Sequence, residues 1–130
     1  MNRHFYAVIL LSFLSTNCQL EPDPELTKIN GFPDDIDGCS CYFAMNQEDF
    51  EQNKFIYLDT YYEGTGFISI SNELIKIDLN NPSKNDYKIK IEFDSNKQNG
   101  DETWWRTGIM TITTKKGKTL KSKFVGECGC

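Results

Sequence analysis

The chain has 130 residues, enough for one domain and too few for two comfortable ones. Its net charge of −5 argues against nucleic acid as a partner. Its one histidine, His4, lies in the leader described next, which excludes histidine-based triads and His-ligated catalytic zinc from the mature chain.

Residues 1–18 read as a secretory signal. Arg3 supplies a positive charge, and Phe5 to Leu14 is apolar apart from Ser12. Ser15, Thr16 and Asn17 then lead to Cys18. A basic start, a short apolar run and a small-residue exit mark an export signal, and the run is about half the length a bilayer-spanning helix needs. Residues 19–37 read as an acidic tether. Pro22, Pro24 and Pro33 stiffen it, and Glu21, Asp23, Glu25, Asp34, Asp35 and Asp37 face a single base, Lys28. So charged a segment buries too little apolar surface to fold alone.

Residues 38–130 read as an all-β domain, with Cys39 to Ala44 as its first strand. Gln47 to Lys54 is the one helix-like piece, good for a turn or two. Strands follow at Phe55 to Asp59, Phe67 to Ile70 and Glu73 to Leu79, with Ser71-Asn72-Glu73 as a tight hairpin. Tyr87 to Phe93 alternates without fault, Tyr, Ile, Ile and Phe toward a core and Lys, Lys and Glu toward water. Ile109 to Thr114 and Thr119 to Val125 flank Lys115-Lys116-Gly117-Lys118, where glycine permits the positive φ of a turn. The expectation is a single antiparallel meander of about seven strands, closing into a small barrel or a sandwich.

The cysteines carry the most information. Cys39 and Cys41 open the domain, and Cys128 and Cys130 end it. Residues two apart on a strand share a face, so each pair presents both sulfurs on one side. On antiparallel strands Cys39 falls opposite Cys130 while Cys41 falls opposite Cys128, in one register, because 39 + 130 equals 41 + 128. Parallel or kinked strands would give the crossed pairing. Disulfides suit an exported protein. Four thiolates could instead hold zinc or copper(I), or each Cys-x-Cys could work as a redox pair.

No catalytic residues, metal site or cofactor are expected. The cysteines lack a histidine base, and no carboxylate pair stands in a setting marked as apolar. The stretch from Asp94 to Glu102 reads as an acidic loop, but the glycine and glutamate of an EF-hand are missing from their places. The binding candidates are aromatic. Trp104 and Trp105 are adjacent, so on a strand they face opposite ways and only one can enter the core. The other must be exposed or covered by a loop or a partner. With Arg106 beside them they resemble an interface hot spot, and Tyr61 and Tyr62 raise the same question at another turn. From Thr103 to Gly126 there are six basic residues and no acid, which an acidic tether could attract.

Four resemblances extend this reading. Leu14-Ser15-Thr16-Asn17-Cys18 resembles a relaxed lipobox, with Ser15 where Leu is usual and Asn17 where a small residue is usual. That likeness implies a lipid on Cys18, which would also leave an even number of cysteines; plain secretion is the alternative. Gly38-Cys39-Ser40-Cys41-Tyr42-Phe43 and Val125-Gly126-Glu127-Cys128-Gly129-Cys130 resemble the ends of small exported lipoproteins of Bacteroidetes-like bacteria. Glu21 and Asp23 loosely resemble the acidic surface-export signal of such proteins. Thr113-Thr114-Lys115-Lys116-Gly117 resembles an element of the lysozyme-inhibitor β-barrel lipoproteins, whose Ser-Gly-x-x-Tyr element is absent here. Together these imply a lipid-anchored protein of the bacterial envelope, at the outer membrane; with the aromatic edge at Trp104 to Arg106 the expectation is a non-enzymatic binding or structural module whose partner is another protein. Inhibition of a hydrolase such as lysozyme is the alternative, and a thiolate metal or redox domain is the third.

Overall fold

The computed structural model describes residues 17–60 and 63–130. Its strands are β1 (Leu26–Thr27), β2 (Ile29–Asn30), β3 (Ser40–Ala44), β4 (Lys54–Phe55), β5 (Tyr57–Thr60), β6 (Thr65–Ile70), β7 (Glu73–Asp78), β8 (Tyr87–Gln98), β9 (Thr103–Thr114) and β10 (Thr119–Gly129). One short helix, α1 (Gln47–Glu51), and a single 3-10 turn over Pro82–Lys84 complete the described elements. The all-β, antiparallel class expected from the alternation is what forms. All seven strands read from the sequence are present, joined by the three short ones, β1, β2 and β4.

Eight strands make one antiparallel sheet. The meander β5-β6-β7 and the meander β8-β9-β10 are joined through β3, which pairs β5 on one side and β10 on the other. Thus β3 and β10 meet in the middle of the sheet. The long edge strands are β7 and β8, consecutive in sequence, with the short β1 beside β6, and no ladder joins β7 to β8 among the described residues. The strands form a ring with one seam open, so the cystine-bearing pair stitches two meanders together without removing every edge. The sheet nevertheless rolls up. Ile77 of β7 lies in the same buried cluster as Phe43, Met110, Ile112 and Phe124, and Ile89 and Ile91 of β8 pack against it.

The two hairpins form where turn chemistry placed them. Ser71 and Asn72 take φ of 49° and 65° between β6 and β7, and Gly117 takes 85° between β9 and β10. The second face of the sheet is covered by α1 and the segment before β3. A cluster of Ile29, Ala44, Phe55, Leu58 and Phe67 lies there, with Tyr42 and Phe50 against it. α1 is too short to persist alone. Asn46 caps it, its Oδ1 accepting from the Asp49 N–H at 2.8 Å. Phe50 pins it, stacked on Tyr42 with centroids 5.4 Å apart.

Two expectations need correction. The segment 19–37 is not a free tether throughout. β1 pairs β6, β2 pairs β4, and Ile29 is buried. Phe32 adds a ring contact to Phe55 at 4.9 Å. Four apolar side chains, Leu26, Ile29, Phe32 and Ile36, are spaced widely among the acids, and each finds its own niche on the sheet. The stretch from Asp94 to Glu102 is a loop only in its last four residues. β8 continues to Gln98 past an irregularity between Phe93 and Ser95, and Gln98 lies opposite Trp104. Asp94 to Gln98 are therefore strand residues, and only Asn99 to Glu102 connect β8 to β9.

A groove at the cystine end

The antiparallel register lays out a row of side chains across the sheet. Asp59 lies opposite Cys41, Cys41 opposite Cys128, Cys128 opposite Trp104, and Trp104 opposite Gln98. Opposed residues share a face, so these five do. Cys41 and Cys128 form one disulfide, and Cys39 and Cys130 form the other. The inner cystine is buried, whereas Cys39 is half-buried and Cys130 exposed. The next row on the same face runs through Tyr57, Phe43, Gly126, Arg106 and Asn96. Gly126 is required there: a Cβ would run into the carbonyl oxygen of Tyr42 and the ring of Phe43.

These rows line two hollows that share Arg106. The first, of about 360 Å³, is walled by Trp104, Asn96, Glu102, Gly129 and the two cystines through Cys128 and Cys130. The second, of about 350 Å³, is walled by Phe43, Asp59, Leu79, Ile91 and Phe93. Arg106 forms the saddle between them. Its Nε donates to Asn96 Oδ1 at 3.0 Å, and its guanidinium carbon lies 4.9 Å from the centroid of Phe93. Among the described residues no carboxylate comes within salt-bridge distance of it, although six other ion pairs form. Among the described residues the two terminal nitrogens of the fork have no hydrogen-bond partner, on a guanidinium already oriented by a ring and an amide.

Asp59 is the half-buried acid of this face. Burial pushes its carboxyl above the ordinary range, opposed by hydrogen bonds and by the charge of Arg106. The Cys41 N–H donates to Oδ1 at 2.9 Å, and the Tyr57 hydroxyl donates to Oδ2 at 2.8 Å. Burial and the neighbouring Asp59 together push the Tyr57 hydroxyl upward. Both carboxylate oxygens are thus engaged, Oδ1 across to β3 beside the cystine and Oδ2 within β5.

The two tryptophans part as adjacent strand residues must, yet neither is fully buried. Trp105 is on the opposite face, edge-on to Phe50 of α1 with centroids 4.8 Å apart. On that face the Tyr42 hydroxyl donates to Glu127 at 2.8 Å, and burial with this contact pushes it to about 12. The aromatic pair therefore divides its work: Trp105 is covered by the helix, and Trp104 lines the groove. Tyr61 and Tyr62 lie outside the described residues, as does the leader through residue 16. Cys18 is exposed and is the one free cysteine. The basic stretch does meet the acidic segment, through Lys116 to Glu21 at 2.8 Å and Lys118 to Asp23.

Sequence reasoning passed over Asp59, Phe93 and Asn96. Asp59 had a signal: an acid directly after the apolar run Phe55 to Leu58, two residues beyond a tyrosine. Among the described residues, no group of three or more His, Cys, Asp or Glu could hold a metal ion, and no helix is long and apolar enough to cross a membrane. No protein-family model matches the chain, no curated protein is detectably similar to it, and no solved structure is detectably similar.

Proposed function

We propose that this chain is an exported, lipid-anchored and non-enzymatic module of the bacterial envelope, which binds another protein through the groove at Trp104 and Arg106. The observation that carries the reading is the state of Arg106. It is oriented by Asn96 and Phe93, lies between two hollows, and has no carboxylate partner among the described residues. A planar cation held in this way beside an indole suits a partner side chain that offers an acid next to an apolar or aromatic group. The rigid cystine wall lowers the ordering cost of binding. Asp59 supports a positional role over proton transfer, because both its oxygens already accept bonds from the fold.

The test is capture from an envelope extract with immobilised wild type, Trp104→Ala, Arg106→Ala, and Lys121→Ala as an exposed control. Each groove substitution should weaken binding of the captured protein by about 2 kcal/mol, roughly thirtyfold, with the control unchanged. Equal capture by all four chains would overturn the assignment of the groove.

A further inference from the structure

The two ends of the rolled sheet are unlike. One end holds both cystines, Trp104 and the groove. The register puts the β9–β10 turn, the β6–β7 turn and the start of β8 at the other end, since Tyr87 lies opposite Thr114 and Glu73 opposite Ile70. From Trp104 to Thr114, β9 runs ten residues, roughly 30 Å at about 3.3 Å per residue.

The chain joins the sheet at that second end. Leu26 lies opposite Ile70, and the Ser71 N–H donates to the Glu25 carbonyl at 2.7 Å, directly beside the β6–β7 turn. Only residues 19–25 separate this junction from Cys18, a span of about 25 Å at full stretch. Glu21 and Asp23 shorten it further by pairing with Lys116 and Lys118 at the β9–β10 turn. Exposed ion pairs of this kind contribute little individually. The placement rests mainly on the β1–β6 ladder, and the ion pairs bias the remaining residues toward the same end.

We infer that a lipid on Cys18 stands the domain on its β9–β10 turn, with the groove at the pole away from the bilayer. This deepens the proposed function and rests on its lipid anchor. The groove then takes a protein that approaches from the aqueous side, and not one embedded in the same leaflet. The β1–β6 ladder together with the pairs Glu21–Lys116 and Asp23–Lys118 holds the segment after Cys18 at the end of the sheet opposite the groove.

The two tryptophans of the chain both sit at the groove end, which makes them reporters. The protein is purified with its native modification, its lipid is established by intact mass, and it is placed in vesicles of phosphatidylethanolamine and phosphatidylglycerol carrying a headgroup nitroxide. The native tryptophans should keep nearly all their emission. A Thr119→Trp chain in a Trp104→Phe, Trp105→Phe background, with its tryptophan at an exposed position by the turn, should lose most of it. Native emission quenched as strongly as that of the Thr119→Trp chain would overturn the orientation. If the mass shows no lipid, the anchor reading fails by itself, and the end-to-end geometry is read in solution from an acceptor dye on the Cys18 thiol. Strong energy transfer from the Thr119→Trp chain and weak transfer from the native tryptophans supports that geometry; the reverse ranking overturns it.

Discussion

Asp59 shows how one side chain can be costly by its charge and useful by its bonds. Its carboxyl is raised by burial, so the folded state holds its proton to higher pH than the unfolded chain does. Below the unfolded value both states are protonated and burial of the charge costs nothing. As pH climbs through the folded value the charge must be buried, and stability falls. Asp59→Asn removes this titration and keeps an acceptor for the Cys41 N–H. Thermal unfolding followed from about pH 3 to about pH 7 should show wild type losing ground to the variant as pH rises. A constant gap between the two would mean that Asp59 is not raised. Residues of this kind were only partly legible beforehand. The cysteine register could be computed from numbering alone. The role of Asp59 could not, because its setting is completed by Cys41 and Arg106, which only the fold brings to it.

Among the elements, α1 depends most on its surroundings. Five residues cannot hold a helix, and Phe50 supplies the attachment, between Tyr42 and Trp105. Phe50→Ala should cost about 2 kcal/mol, less than a fully buried ring because Phe50 is half-buried. It should also shift Trp105 emission to the red as the indole meets water; an unchanged spectrum would contradict the contact. The long strands were readable from strict alternation, most clearly Tyr87 to Phe93. The extension of β8 to Gln98 was not, because Asp94, Ser95, Asn96, Lys97 and Gln98 are all polar. That stretch becomes a strand because β9 opposite it offers a ladder and pairs such as Ser95 to Thr107 at 2.7 Å. β1 and β2 were hidden for a related reason: the acids around Leu26 and Ile29 dominate composition, while two well-placed apolar residues decide the pairing.

At the scale of the molecule the paired cystines set the connectivity. They span 91 and 87 residues and lie in one ladder, so either alone closes nearly the same loop of the unfolded chain. Cys39→Ser with Cys130→Ser, or Cys41→Ser with Cys128→Ser, should cost about 1–2 kcal/mol, and removal of all four about 4–5 kcal/mol, in denaturant titrations. Equal, additive losses would contradict this nesting. Mild reduction followed by alkylation should label Cys39 and Cys130 first, because the other sulfurs are buried.

The same nesting governs the fate of a nicked molecule. A protease that cuts once anywhere between Cys41 and Cys128 leaves both fragments covalently tied, since each still carries one partner of each bridge. Such damage would be silent on a non-reducing gel. A single scission there would shed nothing.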